Sequence, residues 1–509
     1  MKSAADTTSR FAPAAVSILA LAISAWGIGR PSFWYDEAAT ISAINRPWHD
    51  MVAMLGNVDA VHGAYYFVMY GWLQITGDFG LSEFGSRLPS ALAIAAAAGL
   101  IVVLGTKLVD RRFGVVAGLV LATLPRVLWT ASEARGYAFT VMLAVASTLL
   151  ALIAAERGKW WWAAYVATSV VLVVFFVPAI TVVGVNVLIV VLRNGFAPIA
   201  ELLISSIAVG LINAPFAAFA QSQTEQISWM APVTRQTLVD AVLLQYTEES
   251  PAYLILGIVV VLAALTAALW RSVPKPVWHA AVAGALLAAI PTMVTLVYSA
   301  FVTPTYVPRY MSFTAPGVAL VLAAAIRALA RHRDWVAAVL VAALALAAVP
   351  AFLAQRGPYG RAGGSDFSQV ADFVGSHARA GDCVAFEPVL SWSPTSQRIV
   401  MRAKPVQFRG LRDIGPSVDA VAGDKLWDDP RPVGDYTEWA SDCSVVWAVT
   451  DRERTVRSSV RPCGCIPWFF DPFHFENSPL YRALQASGLS VDSRTQFNDS
   501  QVVRMARSR

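Results

Sequence analysis

The feature that most constrains the fold of this chain is a series of eleven long apolar runs. They lie at 11–29, 87–108, 113–131, 137–155, 160–176, 177–192, 198–219, 251–270, 278–301, 310–330 and 335–353. About 20 apolar residues cross a bilayer as a helix. Charged residues make up 14% of the chain, far below the ~25% of soluble domains. The sequence therefore predicts a polytopic α-helical membrane protein with about eleven transmembrane helices.

Basic residues between the runs predict the orientation. Alternate connections carry the clusters KLVDRR (107–112), ERGKW (156–160), RNG (193–195), RSVPKP (271–276) and RALARHRD (327–334). The positive-inside rule places these clusters and the N-terminus in the cytoplasm of a multi-pass plasma-membrane protein. Because the number of spans is odd, residues after about 354 are expected outside the cytoplasm. The net charge of +5 is thus read as a topology signal, and nucleic-acid binding is not expected.

Two apolar stretches need a separate decision. The run 11–29 follows Lys2 and Arg10 but no small-residue cleavage pattern follows it, so we expect it to remain as a span. The stretch 62–77, HGAYYFVMYGWLQITG, is short and rich in Tyr and Trp, which favours a helix in the membrane interface. Residues 30–86 are then one extracytoplasmic loop with interfacial helices.

The composition changes after the last run, which predicts a transmembrane module at 1–355 and an extracytoplasmic α/β domain at 356–509. A helix pattern at Phe367–His377 precedes two strand candidates, CVAFEPV (383–389) and CSVVWAVTD (443–451). Four cysteines in an oxidising compartment are expected to form disulfides. Three pairings are possible, and Cys383–Cys443 is favoured because it links two strand starts. The Cys463-Gly464-Cys465 segment lacks partners at zinc-like spacing, so a metal site is not expected there.

The carboxylates Asp36 and Glu37, in SFWYDEAATI, are the leading candidates for chemistry. A plain alternative is two solvated acids favoured by a helix N-terminus. The preceding Phe-Trp-Tyr would instead hold them at the membrane interface, where a carboxylate can act as a general base or help to hold a divalent cation.

Other polar residues are expected on the same face of the membrane. An arginine there suits a lipid-linked phosphate, whereas an acid beside an arginine can also be a simple ion pair. The scarcity of ionisable residues at span centres disfavours a transporter or flippase. The candidates for contacts with substrate or donor phosphate are Asp59, His62, Glu133, Arg135, Tyr137, Arg309 and Tyr310.

Five motifs in order carry a resemblance to a known family. They are FWYDEAAT, HGAYYFVMYGWLQ, SEFGSRLPSALAIAAAAGLIVVLG, SEARGYAF and VPRYMSF. Together they resemble the GT-C glycosyltransferases of the protein O-mannosyltransferase and aminoarabinose transferase type, over roughly residues 10–355. The segment DFSQVADFVGSHARAGDCVAF also resembles the external C-terminal domain of that family.

The resemblance implies inverting transfer of a sugar from a polyprenyl-phosphate donor to an acceptor outside the cytoplasm. Asp36 matches the family's catalytic acid, Glu37 would assist it, and Arg135 and Arg309 would contact the donor phosphate. Relatives carry a charged residue followed by Pro-Pro-Leu where this chain has Val61-His62-Gly63-Ala64. Asp59 or His62 is therefore expected to replace the second family carboxylate. The resemblance implies no certain cofactor and leaves a divalent cation open.

The composition, rich in Ala, Val, Trp and Arg, fits a high-GC actinobacterial source, which favours a mannosyltransferase acting on a lipoglycan, glycolipid or protein of the cell envelope. A polyprenyl-phosphoarabinose-dependent arabinofuranosyltransferase and a non-catalytic, lipid-binding protein of the same fold are the alternatives. Core packing is the expected role of most tryptophans in the C-terminal domain, although they also offer faces for stacking on sugars. These are Trp427, Trp439, Trp447 and Trp468.

Overall fold

The computed structural model describes residues 11–248, 250–270, 272–387, 396–460 and 467–507. The chain divides into two compact units. The first, here the helical unit, contains the residues through Ile28 and Arg87–Ala354. The second, here the mixed unit, contains Gly29–Ser86 and Gln355–Arg509. The first loop of the sequence thus belongs to the same unit as the C-terminal part of the chain.

Each of the eleven apolar runs coincides with one or two helices. Eight helices of the described chain are long and apolar enough to cross a membrane, and a bent pair raises the number to nine. The remaining two runs form shorter apolar helices, Ala12–Ala25 and Trp160–Phe175. The predicted polytopic helical architecture is therefore confirmed. In order, the helices are Ala12–Ala25, Glu83–Leu108, Arg111–Thr123, Pro125–Ala131, Tyr137–Arg157, Trp160–Phe175, Ile180–Asn194, Ile199–Ser222, Arg235–Leu243, Pro251–Trp270, Lys275–Phe301, Ala315–Ala330 and Asp334–Ala354.

Small side chains let these helices approach closely. A Cβ atom at Gly284 would lie 2.6 Å from the carbonyl oxygen of Gly317, and the reciprocal distance is 2.5 Å. Larger side chains at either position would force helices Lys275–Phe301 and Ala315–Ala330 apart. Glycine at a helix contact is the packing device typical of membrane proteins, where burial of apolar surface does not distinguish lipid from protein.

The predicted division between the apolar runs 160–176 and 177–192 is confirmed. Trp160–Phe175 and Ile180–Asn194 are separate helices joined by the 3₁₀ turn Val177–Ala179. Buried polar side chains link them to the preceding helix: the hydroxyl oxygens of Ser147 and Ser169 are 2.8 Å apart, and Asn186 Nδ2 donates to Ser147 Oγ at 3.0 Å. Such bonds replace the hydration that lipid cannot provide.

The mixed unit is built on a five-stranded sheet. Its strands are β1 Cys383–Phe386, β2 Arg412–Asp413, β3 Val445–Asp451, β4 Leu489–Gln496 and β5 Ser500–Arg507, in the order β2-β1-β3-β5-β4. β1 runs parallel to β2 and β3, whereas β5 is antiparallel to β3 and β4. The predicted helix Phe367–His377 is confirmed, and so is the disulfide Cys383–Cys443. The Cys463-Gly464-Cys465 segment lies outside the described residues.

Three helices of the first loop complete this unit: Tyr35–Ile44, Trp48–Asn57 and Gly63–Thr76. The last has 14 residues, about 21 Å of helix at ~1.5 Å per residue, less than the ~30 Å hydrocarbon core. Hydrogen bonds tie the loop to the C-terminal part, for example from the Ser368 backbone N–H to Ser32 Oγ at 3.0 Å. Lys404 Nζ also donates to Glu83 Oε1 at 2.7 Å.

Short elements fill the remainder of the described chain. Further helices are Ile399–Ala403, Tyr436–Trp439 and Pro479–Ala486. Two small antiparallel sheets pair Pro416–Val418 with Asp429–Pro430 and Ser458–Val460 with Trp468–Phe470. The other 3₁₀ turns are Ala60–His62, Gly77–Leu81, Thr224–Ile227, Pro308–Thr314, Ala362–Gly364, Pro405–Phe408, Val433–Asp435 and Phe475–Asn477.

Candidate active site

Asp36 and Glu37 lie in the first turn of helix Tyr35–Ile44. The helix begins after Trp34, whose backbone is extended, and its dipole favours negative charge at this end. The two acids differ in environment: Glu37 is fully buried, whereas Asp36 is partly exposed. Two equally solvated acids are therefore not what the structure shows. Asp36 is the more accessible of the two carboxylates.

Asp59 and His62 lie between two helices of the same unit. Asp59 has a left-handed backbone, with φ of 62°, directly before the 3₁₀ turn that ends at His62. Its carboxylate accepts a hydrogen bond from Tyr66 Oη at 2.6 Å, and the rings of His62 and Tyr66 are 6.2 Å apart. Tyr66 belongs to helix Gly63–Thr76, which packs against Tyr35–Ile44. The mixed unit thus places four polar candidates on helix Tyr35–Ile44 and in the turn before the helix that packs against it.

Glu133 and Arg135 occupy the connection between helices Pro125–Ala131 and Tyr137–Arg157 of the helical unit. Glu133 is fully buried and Arg135 nearly so. Ser90 Oγ donates to the backbone carbonyl of Glu133 at 2.6 Å, which fixes the connection to helix Glu83–Leu108. Charges buried in a membrane-spanning unit are costly and are the ones most often used for function.

Arg309 and Tyr310 lie in the 3₁₀ turn Pro308–Thr314, which begins with proline. Arg309 is 3% exposed, and its guanidinium carbon is 5.1 Å from the ring centre of Tyr310 and 5.8 Å from that of Trp229. The rings of Tyr137 and Tyr310 are 5.9 Å apart. The helical unit therefore brings Tyr137, Arg309 and Tyr310 together, with an aromatic side chain of the 220–250 segment beside the guanidinium.

Arg126 is a buried charge that the sequence analysis did not select. Its Nε donates to the carbonyl of Gln245 at 2.9 Å and its Nη2 to that of Leu244 at 2.6 Å, and it forms an ion pair with Glu248. Tyr306 Oη donates to Gln245 Oε1 at 2.7 Å. The arginine thus fastens the end of the 220–250 segment. The signal in the sequence was an arginine inside an apolar run, directly after Pro125.

Candidate metal ligands do not cluster. Within the described ranges, no group of three or more His, Cys, Asp or Glu side chains is placed to hold a metal ion. The candidate carboxylates of the first loop are divided between helix Tyr35–Ile44 and the turn at Asp59.

Comparisons with known proteins identify the fold. No family model and no curated protein sequence matches the chain. Among solved structures it is similar to ArnT from Cupriavidus metallidurans in the apo state, with 13% identity, 98% of both chains covered and a TM-score of 0.57. For the same ArnT bound to undecaprenyl phosphate, the identity is 13%, the coverage 99% of this chain and 98% of that one, and the TM-score 0.55.

A more distant similarity is to the oligosaccharyltransferase AglB from Archaeoglobus fulgidus, in complex with an inhibitory peptide and a dolichol-phosphate. It has 11% identity, covers 87% of this chain and 69% of that one, and has a TM-score of 0.47, which is too low to support an argument. The similarity to ArnT extends over nearly the whole of both chains, so the predicted GT-C fold is confirmed.

Proposed function

We propose that this chain is an inverting glycosyltransferase that moves a sugar, mannose, from a polyprenyl-phosphate donor to a hydroxyl group of a cell-envelope glycan, glycolipid or protein. One observation carries the proposal. A partly exposed carboxylate, Asp36, stands in the first turn of a helix in the first loop of a chain with the fold of ArnT. That ArnT binds undecaprenyl phosphate supports a polyprenyl-phosphate donor.

The proposed reaction is a single displacement. The acceptor hydroxyl oxygen forms a bond to the anomeric carbon of the sugar as the bond from that carbon to the phosphate oxygen breaks. The phosphate oxygen keeps the electron pair, so polyprenyl phosphate leaves as an anion and the anomeric configuration inverts. Asp36 takes the proton of the acceptor hydroxyl as general base. Glu37, the buried neighbour, orients Asp36.

Positive charge is needed where the phosphate leaves. Arg135 and Arg309 are buried guanidinium groups in the helical unit, and we assign them to the donor phosphate. One guanidinium group can bind two phosphate oxygens at once, and its positive charge stabilises the negative charge that develops on the leaving phosphate. Glu133, Tyr137 and Tyr310 would hold the arginines in place, whereas Asp59 and His62 would shape the acceptor side.

We place the enzyme in the plasma membrane with a cytoplasmic N-terminus and with residues 30–86 and 356–509 outside. The alternation of basic clusters supports this orientation. A lipid-linked donor fits the location, because soluble nucleotide sugars are confined to the cytoplasm.

Transfer by the purified full-length protein tests the proposal. We would offer radiolabelled polyprenyl-phosphomannose and polyprenyl-phosphoarabinose separately, with mixed envelope lipids as acceptors. Asp36→Asn should lower the transfer rate ~10²–10⁴-fold, the contribution typical of a general base. Asp50→Asn is the matched control, because Asp50 also stands in the first turn of a loop helix, Trp48–Asn57.

The outcomes separate the candidates. Mannose transfer that is lost only in the Asp36 variant supports the proposal. Transfer of arabinose alone would replace mannose as the sugar and keep the mechanism. Equal rates for the Asp36 variant and the parent protein would refute the assignment of the base.

A further inference from the structure

An aromatic pair stands next to Asp36. Trp427, from the C-terminal part of the mixed unit, donates from Nε1 to Tyr35 Oη at 3.0 Å. The two ring centres are 5.3 Å apart, with 50° between the planes. Tyr35 is the residue before Asp36, and Trp427 is only partly buried. Aromatic side chains of the first loop and of the C-terminal part therefore meet one residue from the proposed base.

The three residues before Trp427 are fastened to the first loop by hydrogen bonds from its side chains. Ser42 Oγ donates to the carbonyl of Leu426 at 2.7 Å, and Arg46 Nη1 donates to that of Lys425 at 3.0 Å. Asn57 Nδ2 reaches the carbonyl of Asp424 at 3.3 Å. Asp424 itself has a φ of 49°, in the left-handed region that aspartate adopts more readily than most residues other than glycine.

Asp428 anchors the other side of Trp427. Its carboxylate accepts from Arg398 Nε at 2.7 Å, from Arg402 Nε at 2.8 Å and from the Ala420 backbone N–H at 2.8 Å. Burial alone would raise the pKa of Asp428, but the bonds from Arg402 and the charge of Arg398 outweigh it and lower the pKa. The helix Ile399–Ala403 that carries Arg402 packs on Tyr35–Ile44. Helix Ile399–Ala403 therefore contacts Asp428 through Arg402 and also packs on the helix that carries Asp36.

Each of the other tryptophans with possible sugar-stacking faces has a close contact of its own, although Trp439 is 40% exposed. Trp447 is 4% exposed and donates to Asp382 Oδ2 at 3.0 Å. The guanidinium of Arg431 covers the ring of Trp439 at 4.1 Å. The ring of Trp468 packs against Gly363, where a Cβ atom would collide with it. Trp427 differs from all three because its ring borders the helix of the proposed base.

We propose that Tyr35 and Trp427 form the platform on which the acceptor's pyranose ring rests, so that the acceptor is a glycan or glycolipid. The inference rests on the proposed function and adds the chemical class of the acceptor. A pyranose ring has an apolar face of C–H groups that suits an aromatic surface, and its hydroxyl groups suit polar neighbours. Lys425 and Asp429, exposed and paired at 2.7 Å, flank Trp427 on the same segment. Because the segment is already fixed, little ordering is needed when the sugar binds.

Steady-state transfer to a defined acceptor tests the platform. The probe is octyl α-D-mannopyranoside, compared with a serine- and threonine-containing peptide, with polyprenyl-phosphomannose as donor and the full-length protein as enzyme. Trp427→Ala should raise the KM for the glycoside roughly tenfold, the loss of about one aromatic contact. We expect kcat and the KM for the donor to stay within about twofold. Trp427→Phe should recover most of the affinity, and Trp439→Ala, the control, should match the parent protein.

The readouts separate failure of the inference from failure of the proposed function. An unchanged KM for the glycoside in a folded Trp427→Ala protein would overturn the platform, and transfer to the peptide alone would overturn the acceptor class. If the parent protein transfers nothing, the proposed function fails, and saturation-transfer NMR with the same glycoside decides the platform separately. A signal that Trp427→Ala abolishes and Trp427→Phe keeps would support the sugar site, and a signal unaffected by either change would refute it.

Discussion

A buried carboxyl group in the mixed unit makes its stability depend on pH. Glu387 follows strand β1 and is 5% exposed, and its Oε2 has no hydrogen-bond partner within the described part of the chain. Because β1 and β3 are parallel, their carboxyl ends meet, and Asp451 at the end of β3 adds negative charge. Burial and then the charge of Asp451 raise the pKa of Glu387 to about 7.

The C-terminal part of the mixed unit contains other buried charged groups. Asp451 is paired with Arg454, whose Nη1 donates to it at 2.6 Å. Asp499 has its pKa raised to about 8 by burial and by the charge of Asp366. The carboxylate of Asp366 accepts hydrogen bonds from Ser500. Among these charges, that of Asp451 adds to the effect of burial in raising the pKa of Glu387.

The size of the effect follows from the pKa. A rise from the ordinary 4.5 to about 7 corresponds to ~3 kcal/mol at ~1.36 kcal/mol per pH unit. Between pH 4.5 and 7 the folded state keeps a proton that the unfolded state has lost. The contribution of Glu387 to the free energy of unfolding therefore falls as pH rises through this window and levels off above pH 7. Glu387→Gln removes this titration, so we expect the variant to be the more stable protein at pH 8.

Hydrogen exchange of the full-length protein in detergent measures this. Opening free energies of amides in β1 and β3 would be compared at pH 5 and pH 8, after correction for the intrinsic exchange rates. From pH 5 to pH 8, the opening free energy should fall ~3 kcal/mol less in Glu387→Gln than in the parent protein. Glu438→Gln, at an exposed position of helix Tyr436–Trp439, is the control. If the opening free energies of the Glu387 variant and the parent protein change equally with pH, the reasoning is refuted.

Two further predictions concern the disulfide and the buried arginine. Cys383 and Cys443 close a loop with a sequence separation of 60, so replacing both with serine should lower the unfolding free energy of the sheet by ~4 kcal/mol. A loss below ~1 kcal/mol in the same exchange measurement would contradict this. Arg126→Ala leaves Glu248 and two carbonyl groups without their donor, a loss of ~3 kcal/mol for a buried pair. Proteolysis near 244–250 should be faster than in Arg126→Lys, and equal rates would argue against a fastening role.

Periodicity and charge predicted the elements that form locally. Apolar runs mark the helices of the helical unit because lipid demands apolar side chains and satisfied backbone groups along the whole span. Pro178 marks a helix break because proline lacks the N–H that a helix interior needs. Phe367–His377 was predicted from its amphipathic pattern and Cys383–Cys443 from the two strand starts. Arg126 was missed because its partners belong to a segment about 120 residues later, which no local pattern connects to it.

The position of Asp36 depends on partners that are remote in sequence. Helix Tyr35–Ile44 packs on Ile399–Ala403, and its first residue bonds to Trp427, 392 residues away. Nothing in SFWYDEAATI indicates these contacts, since each side satisfies its own local pattern. Yet Ser42, on this helix, and Arg46, two residues after its end, donate to carbonyls of the C-terminal part. Without that part, the buried side chains of Ser42 and Arg46 would lose these acceptors and Tyr35 would lose Trp427. The C-terminal part is therefore a structural component of the proposed site, because it fixes the helix that carries Asp36.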